Sequence, residues 1–268
     1  MKKSQNMNMK TKTDYLKLFM YELILVALVF ASFVFLRIKL KNYLQIYSSY
    51  ISLMSSMQDA VLDNTQNIAQ LSGLINDLDK ITNNYLLLAF VVIPLAIFLF
   101  YCVFEGLVWK NIINFRDNKI FFRNFSILSF AGFALIYFTF YLLWDKINIS
   151  EFDFDVKLIW FPVVVFVVLY LLTIFYSILD RNLTRTLKIG LRMALSKFHL
   201  MIIPFLIYFV FVSALIVSMF SIIVYYLLQT SNLQIYIYFI LLIATIIASV
   251  AYKVYLKNRM QKLILTLN

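Results

Sequence analysis

The chain has 268 residues, of which 63% are hydrophobic and 14% charged, and its mean hydropathy is +0.86. Too few polar residues are present to clothe a soluble domain of this length, so that class is excluded. A formal net charge of +11 would suit nucleic acid, but the basic residues border hydrophobic runs rather than forming one stripe. That placement points to anionic lipid headgroups and away from nucleic acid.

Six apolar runs lie near 18–36, 85–104, 127–144, 158–178, 202–227 and 233–252. Each is long enough to cross a hydrocarbon core ~30 Å thick at ~1.5 Å per residue. The predicted fold is therefore all-α: a polytopic integral membrane protein with six transmembrane helices, forming one membrane domain over 1–268. The N-terminal tail, the 2–3 loop, the 4–5 loop and the C-terminal tail hold 5, 4, 5 and 4 Lys and Arg residues, against 4, 2 and 0 in the other three loops. Eighteen against six predicts a multi-pass protein of the cell membrane with both termini cytoplasmic.

Lys2, Lys3, Lys10, Lys12 and Lys17 precede the first run as in a signal peptide, but the run ends at Phe35-Leu36-Arg37 without a small-residue cleavage pattern. The expectation is a retained first span.

Residues 37–84 are the one sizeable segment between spans. They contain no proline, and Gly73 is their only glycine. Leu44, Tyr47, Ile51 and Met54 recur at helical spacing, and so do Met57, Val61, Ile68, Leu71, Ile75 and Leu78. The phase changes between the two stripes, near the polar run Asp63-Asn64-Thr65-Gln66-Asn67. A single helix here would reach ~70 Å from the membrane with no chain left to return. The pattern predicts an outward, extracytoplasmic helical hairpin between helices 1 and 2 that buries its two stripes against each other and offers a contact for a protein partner. In the 145–157 loop, acidic and aromatic residues alternate from Glu151 to Asp155, so an extended chain would separate Phe152 and Phe154 from the carboxylates. Asn148-Ile149-Ser150 matches a glycosylation sequon.

The 2–3 and 4–5 loops share the pattern R-x-x-K-I-x-x-R, as Arg116, Lys119, Arg123 and as Arg185, Lys188, Arg192, at an offset of 69 residues. The same offset pairs Tyr101 with Tyr170, so spans 2–3 and 4–5 read as two copies of one helix–loop–helix unit or as a chance likeness. In a helix, positions i, i+3 and i+7 share a face. Both trios therefore predict interfacial helices whose cations meet anionic lipid, with Phe121, Phe122, Leu187 and Leu191 as the apolar surface.

Ionisable residues at span ends are the usual pointer to function, because burying charge in lipid is costly. Glu22 lies inside span 1, Glu105 closes span 2 and His199 precedes span 5. All three are expected near one interface, where they form a candidate polar cluster or pair with a nearby lysine such as Lys17 or Lys110. Pro94, Pro162 and Pro204 lie in or at the edge of spans, and each removes a backbone donor that a straight helix would use.

Exclusions bound the rest. One cysteine, Cys102, allows no intrachain disulfide, and one histidine allows neither a His-rich metal site nor an H-E-x-x-H motif. Four scattered glycines form no phosphate loop, dinucleotide fingerprint or G-x-S-x-G elbow. No catalytic residue, metal site or cofactor is predicted, and enzymatic activity is disfavoured. The expected function is a non-catalytic scaffold or subunit of a membrane assembly, contacting protein partners and anionic lipids. The alternatives are a small transporter or channel with a polar site near Glu22 and Glu105, and a lipid-handling membrane enzyme.

Overall fold

A computed structural model describes residues 12–58, 65–144, 147–148, 153–154, 160–228 and 232–265. The elements run α1 (Lys12–Gln58), α2 (Thr65–Leu87), a π-helical turn (Leu88–Val92), α3 (Ile93–Phe100), a second π-helical turn (Tyr101–Glu105), α4 (Gly106–Ile113) and α5 (Asn118–Trp144). They continue as β1 (Ile147–Asn148), β2 (Asp153–Phe154), α6 (Trp160–Ser177), α7 (Leu183–Ser196), α8 (Phe198–Leu228) and α9 (Asn232–Leu265). The two short strands pair antiparallel, Ile147 with Phe154 and Asn148 with Asp153.

The protein is an all-α polytopic membrane protein. Among the described residues, Asp14–Ser55, Ser72–Ile113, Asn118–Leu142, Trp160–Ser177 and Ile240–Leu263 are long and apolar enough to cross a membrane. Leu183–Ser196 and Phe198–Val210, bent by 95° at their junction, supply a sixth if counted as one span. Ile149 and Ser150 of the glycosylation sequon, and Phe152, fall outside the described residues.

Local chemistry explains where the helices break. Asn114, at φ 55°, closes α4 in the left-handed region, and its N–H reaches the carbonyls of Asn111 and Lys110; a short polar side chain tolerates that conformation. Asp117 then starts α5, its Oδ1 accepting from the Ile120 N–H at 3.1 Å. With so tight a turn, the first basic trio does not share one helical face. Arg116 sits in the bend, while Lys119 and Arg123 lie exposed on α5 itself. Phe121 is fully buried rather than an apolar surface for lipid. The two loops that share R-x-x-K-I-x-x-R thus have different structures. Pro94 follows the first π-turn; widening the preceding turn relieves the clash its ring would make with the carbonyl four residues earlier. Pro162 sits in the first turn of α6, where no intrahelical donor is needed. Pro204 lies inside α8.

The chain forms two compact units. One is Val26–Phe100. Within it Tyr43 of α1 stacks on Tyr85 of α2, centroids 5.0 Å apart, and the Tyr43 hydroxyl shares a hydrogen bond with Thr82 Oγ1 at 3.2 Å. Among the described side chains the predicted mutual burial of the two stripes is not found; those of Met57, Val61, Ile68 and Leu71 lie outside them. Leu44, Tyr47 and Ile51 remain 53%, 39% and 43% exposed, and Ile75 of the second stripe is exposed too. Tyrosine pairs hold helices further apart than small side chains do, so the aliphatic residues on either side stay uncovered. The exposed serines of α1 bond back to their own helix: Ser48, Ser49, Ser52 and Ser55 donate to the carbonyls of Gln45, Ile46, Ser49 and Ser52. Satisfied in this way, they add little polarity to the helix surface.

The other unit joins the described residues up to Leu25 with those from Tyr101 onward. Its core gathers Leu18, Trp109, Phe121, Phe125, Ile174, Tyr176, Met193, Met201, Phe205, Leu256 and Met260. The Phe125 and Tyr176 rings lie 4.4 Å apart, and the Tyr176 hydroxyl bonds with Ser129 Oγ at 2.8 Å inside this core. α9 continues well past the predicted end of the sixth span at 252. Its buried residues Ile246, Val250, Lys253, Leu256 and Met260 recur at three and four, so the extension packs like a core helix.

Candidate functional site

Lys253 stands in the middle of that buried face of α9. Its Nζ donates to Glu22 Oε1 of α1 and, at 2.7 Å, to the Glu105 carboxylate. Trp109 Nε1, one turn along α4, donates to Glu105 Oε1 at 2.8 Å. Lys253 is 2% exposed, Glu105 4% and Glu22 6%. The π-turn that ends at Glu105 carries both Cys102 and Glu105 inward, and Glu105 is thereby within reach of α9.

The arrangement brings together two of the three predicted residues and adds two that were not predicted. Glu22 and Glu105 converge, but their partner is neither Lys17 nor Lys110. It is Lys253, which by hydropathy falls in the C-terminal tail, just beyond the sixth apolar run. The i, i+3, i+4, i+7 spacing from Ile246 to Met260 was the available signal that Lys253 shares the buried face. Nothing in the sequence singles out Trp109, since tryptophans are common at span ends.

His199 does not join the cluster. It is exposed on the first turn of α8 and lines a groove of about 590 Å³ with Tyr252, Tyr255, Arg259 and the apolar residues Leu200, Ile203, Pro204, Ile207 and Ala251.

Chemically, the triad is a buried ion cluster in which one ammonium serves two carboxylates. Taking such charges out of water costs several kcal/mol per ion, offset only when each finds a close opposite charge. Here the charges join α1, the end of the second π-helical turn and α9. Among the described residues no three His, Cys, Asp or Glu side chains gather as a metal site.

The second basic trio does form a helix face. α7 is capped by Asn182, whose side-chain oxygen accepts from the N–H groups of Thr184 and Arg185. Asn124 of α5, 1% exposed, donates to the carbonyls of Asp180 at 3.0 Å and Arg181 at 3.1 Å, holding the turn before α7. Gly190 lies against Phe175, where a Cβ would stand 2.4 Å from the ring, so only glycine lets α7 approach α6 this closely. Three sectors result. Thr186, Gly190, Met193 and Ala194 are buried; Arg185, Lys188 and Arg192 are exposed; Leu191 and Leu195 are exposed beside them, Leu195 at 78%. Leu187, expected on the apolar surface, is half-buried.

Compared with known proteins, the chain matches no family model, no curated protein and no solved structure.

Proposed function

We propose that the protein is a non-catalytic subunit of a membrane assembly, working by contact with a protein partner and with anionic lipids. The observation that carries this reading is the uncovered apolar surface of α1 beyond the first span. Ile38, Leu44, Ile46, Tyr47 and Ile51 are all exposed there. Residues 37–58 lie beyond the ~20 residues a bilayer needs, so in this reading they stand in the extracytoplasmic space. Large apolar patches facing water mark interaction sites. The three sectors of α7 support the lipid half: its cations suit headgroups, its leucines suit the acyl boundary, and its third face belongs to the protein. Both termini are cytoplasmic and the membrane is the cell membrane in this reading, on the positive-inside asymmetry.

The test is affinity purification of the full chain from native membrane in mild detergent, with mass spectrometry of bound proteins and lipids. The expected result is one stoichiometric protein partner, lost when Leu44 and Ile51 are replaced by Asp. Recovery of the chain alone and free of lipid would overturn the reading.

One observation favours a small transporter or channel instead. Two carboxylates share one ammonium in the buried triad, leaving an excess negative charge that a proton or monovalent cation would neutralise. Proteoliposomes holding the purified chain discriminate: proton or potassium flux abolished by Glu22→Gln would select this alternative, and tight vesicles would reject it.

A further inference from the structure

We infer that the groove between α8 and α9 is a binding site for one acidic phospholipid, with its phosphate at His199, Tyr255 and Arg259 and its acyl chain along Ile203, Pro204, Ile207 and Ala251. The inference rests on the proposal that the chain contacts anionic lipid, and it names a site distinct from the α7 cations.

The groove is polar at one end and apolar at the other, and both of its walls agree on which end is which. On α8 the polar residue His199 comes first, and Ile207 lies eight positions later, ~12 Å along the axis. On α9 the order is reversed: Ala251 comes first and Arg259 follows eight positions later, again ~12 Å away. All of these residues line one groove, so the imidazole and the guanidinium share one end and the aliphatic side chains share the other. This gradient matches an amphiphile and not a free anion, which would leave the apolar wall unused.

Depth follows from the neighbouring helix. α7 meets α8 at 95°, so if α8 crosses the membrane, α7 lies along its plane. Only Lys197 separates α7 from α8, which puts His199 at the level of the α7 cations, where headgroups are. Arg259 is already oriented: its NH1 donates to the Tyr255 hydroxyl, and its guanidinium lies 5.9 Å from that ring's centroid. A planar fork held in this way suits a phosphate better than a free lysine does. Ile203 and Ile207, 63% and 53% exposed, form the aliphatic edge for the chain. The groove's volume, about 590 Å³, falls within the range of ordinary ligand sites.

The test is native mass spectrometry of the full chain in mild detergent. The probes are phosphatidylglycerol and phosphatidylcholine at equal concentration, with inorganic phosphate in a separate arm. The wild-type chain is expected to retain phosphatidylglycerol in preference, and His199→Ala with Arg259→Gln to lower that preference at least about fivefold, the ratio for ~1 kcal/mol per surface cation. Arg259→Lys, which keeps the charge but not the held fork, should lower it less than Arg259→Gln does. Ile203→Trp, at a site already facing outward, should reduce retention of both lipids by filling the apolar end; it decides the matter if the double variant does not fold. Equal preference in wild type and double variant would overturn the inference, and so would phosphate alone competing the lipid away. If Arg185, Lys188 and Arg192 changed together to Gln lower the preference while the groove variants do not, the groove fails and the general lipid contact stands. If even the wild type shows no preference, both fail.

Discussion

Lys253 and Glu105, 148 positions apart in the chain, meet at 2.7 Å in a site that almost excludes solvent. Lys253 also holds Glu22, so replacing it with Met strands two buried carboxylates. The expected loss is ~3–5 kcal/mol, read as a fall in the thermal midpoint of the purified protein by tryptophan fluorescence, with Trp109 as a reporter hydrogen-bonded to the site. Adding Glu22→Gln and Glu105→Gln to Lys253→Met should recover much of that loss, because no unpaired charge remains. A triple variant no more stable than the single one would mean that the cluster acts by packing and not by charge.

Two glycines should respond in opposite directions. Gly190→Ala places a methyl 2.4 Å from Phe175 Cδ1 and should destabilise by ~1–3 kcal/mol through overpacking. Gly73→Ala meets nothing within 4 Å and should stabilise α2 by ~0.5–1 kcal/mol, since alanine loses less backbone freedom in a helix. Thermal midpoints of the two variants, measured in one detergent, give the comparison.

Asn124→Ala removes both side-chain bonds to the Asp180 and Arg181 carbonyls. The expected cost is ~2 kcal/mol, about 1 for each hydrogen bond. Hydrogen exchange should speed up at the start of α7 and stay slow in α6. Asn182→Ala, which removes the cap of α7, should loosen the same amides at a cost of ~1 kcal/mol. Unchanged exchange in both variants would show that α7 is held by its contacts with α6 alone.

The proposed sidedness is open to labelling. In a Cys102→Ser background, single cysteines at Lys119 and Lys188, both exposed, should react with a membrane-impermeant thiol reagent from one face of a sealed vesicle. A cysteine at Lys41, also exposed, should react from the opposite face. Labelling of all three from the same face would contradict the positive-inside assignment.

Helices and their apolar runs were legible because they follow from local rules. Hydropathy over some twenty residues marks a stretch able to cross a membrane, and the i, i+3, i+7 spacing of Arg185, Lys188 and Arg192 marks a one-sided basic helix. The same pattern misled at Arg116, Lys119 and Arg123. Spacing says which residues would share a face if a helix formed, not whether the turn at Asn114 and the cap at Asp117 leave room for one.

What the sequence determined by itself is the membrane class, the helical content and the convergence-prone carboxylates Glu22 and Glu105, each set by composition and short-range periodicity. Tertiary structure alone decided the rest. It brought Lys253 to both carboxylates, sent His199 to a groove on α8 and α9, and left Leu44, Tyr47 and Ile51 uncovered. Those outcomes depend on which helix face meets which neighbour. An ion pair spanning 231 positions, as between Glu22 and Lys253, leaves no trace in local spacing, because its free energy comes from desolvated charges that only the packed bundle brings within reach.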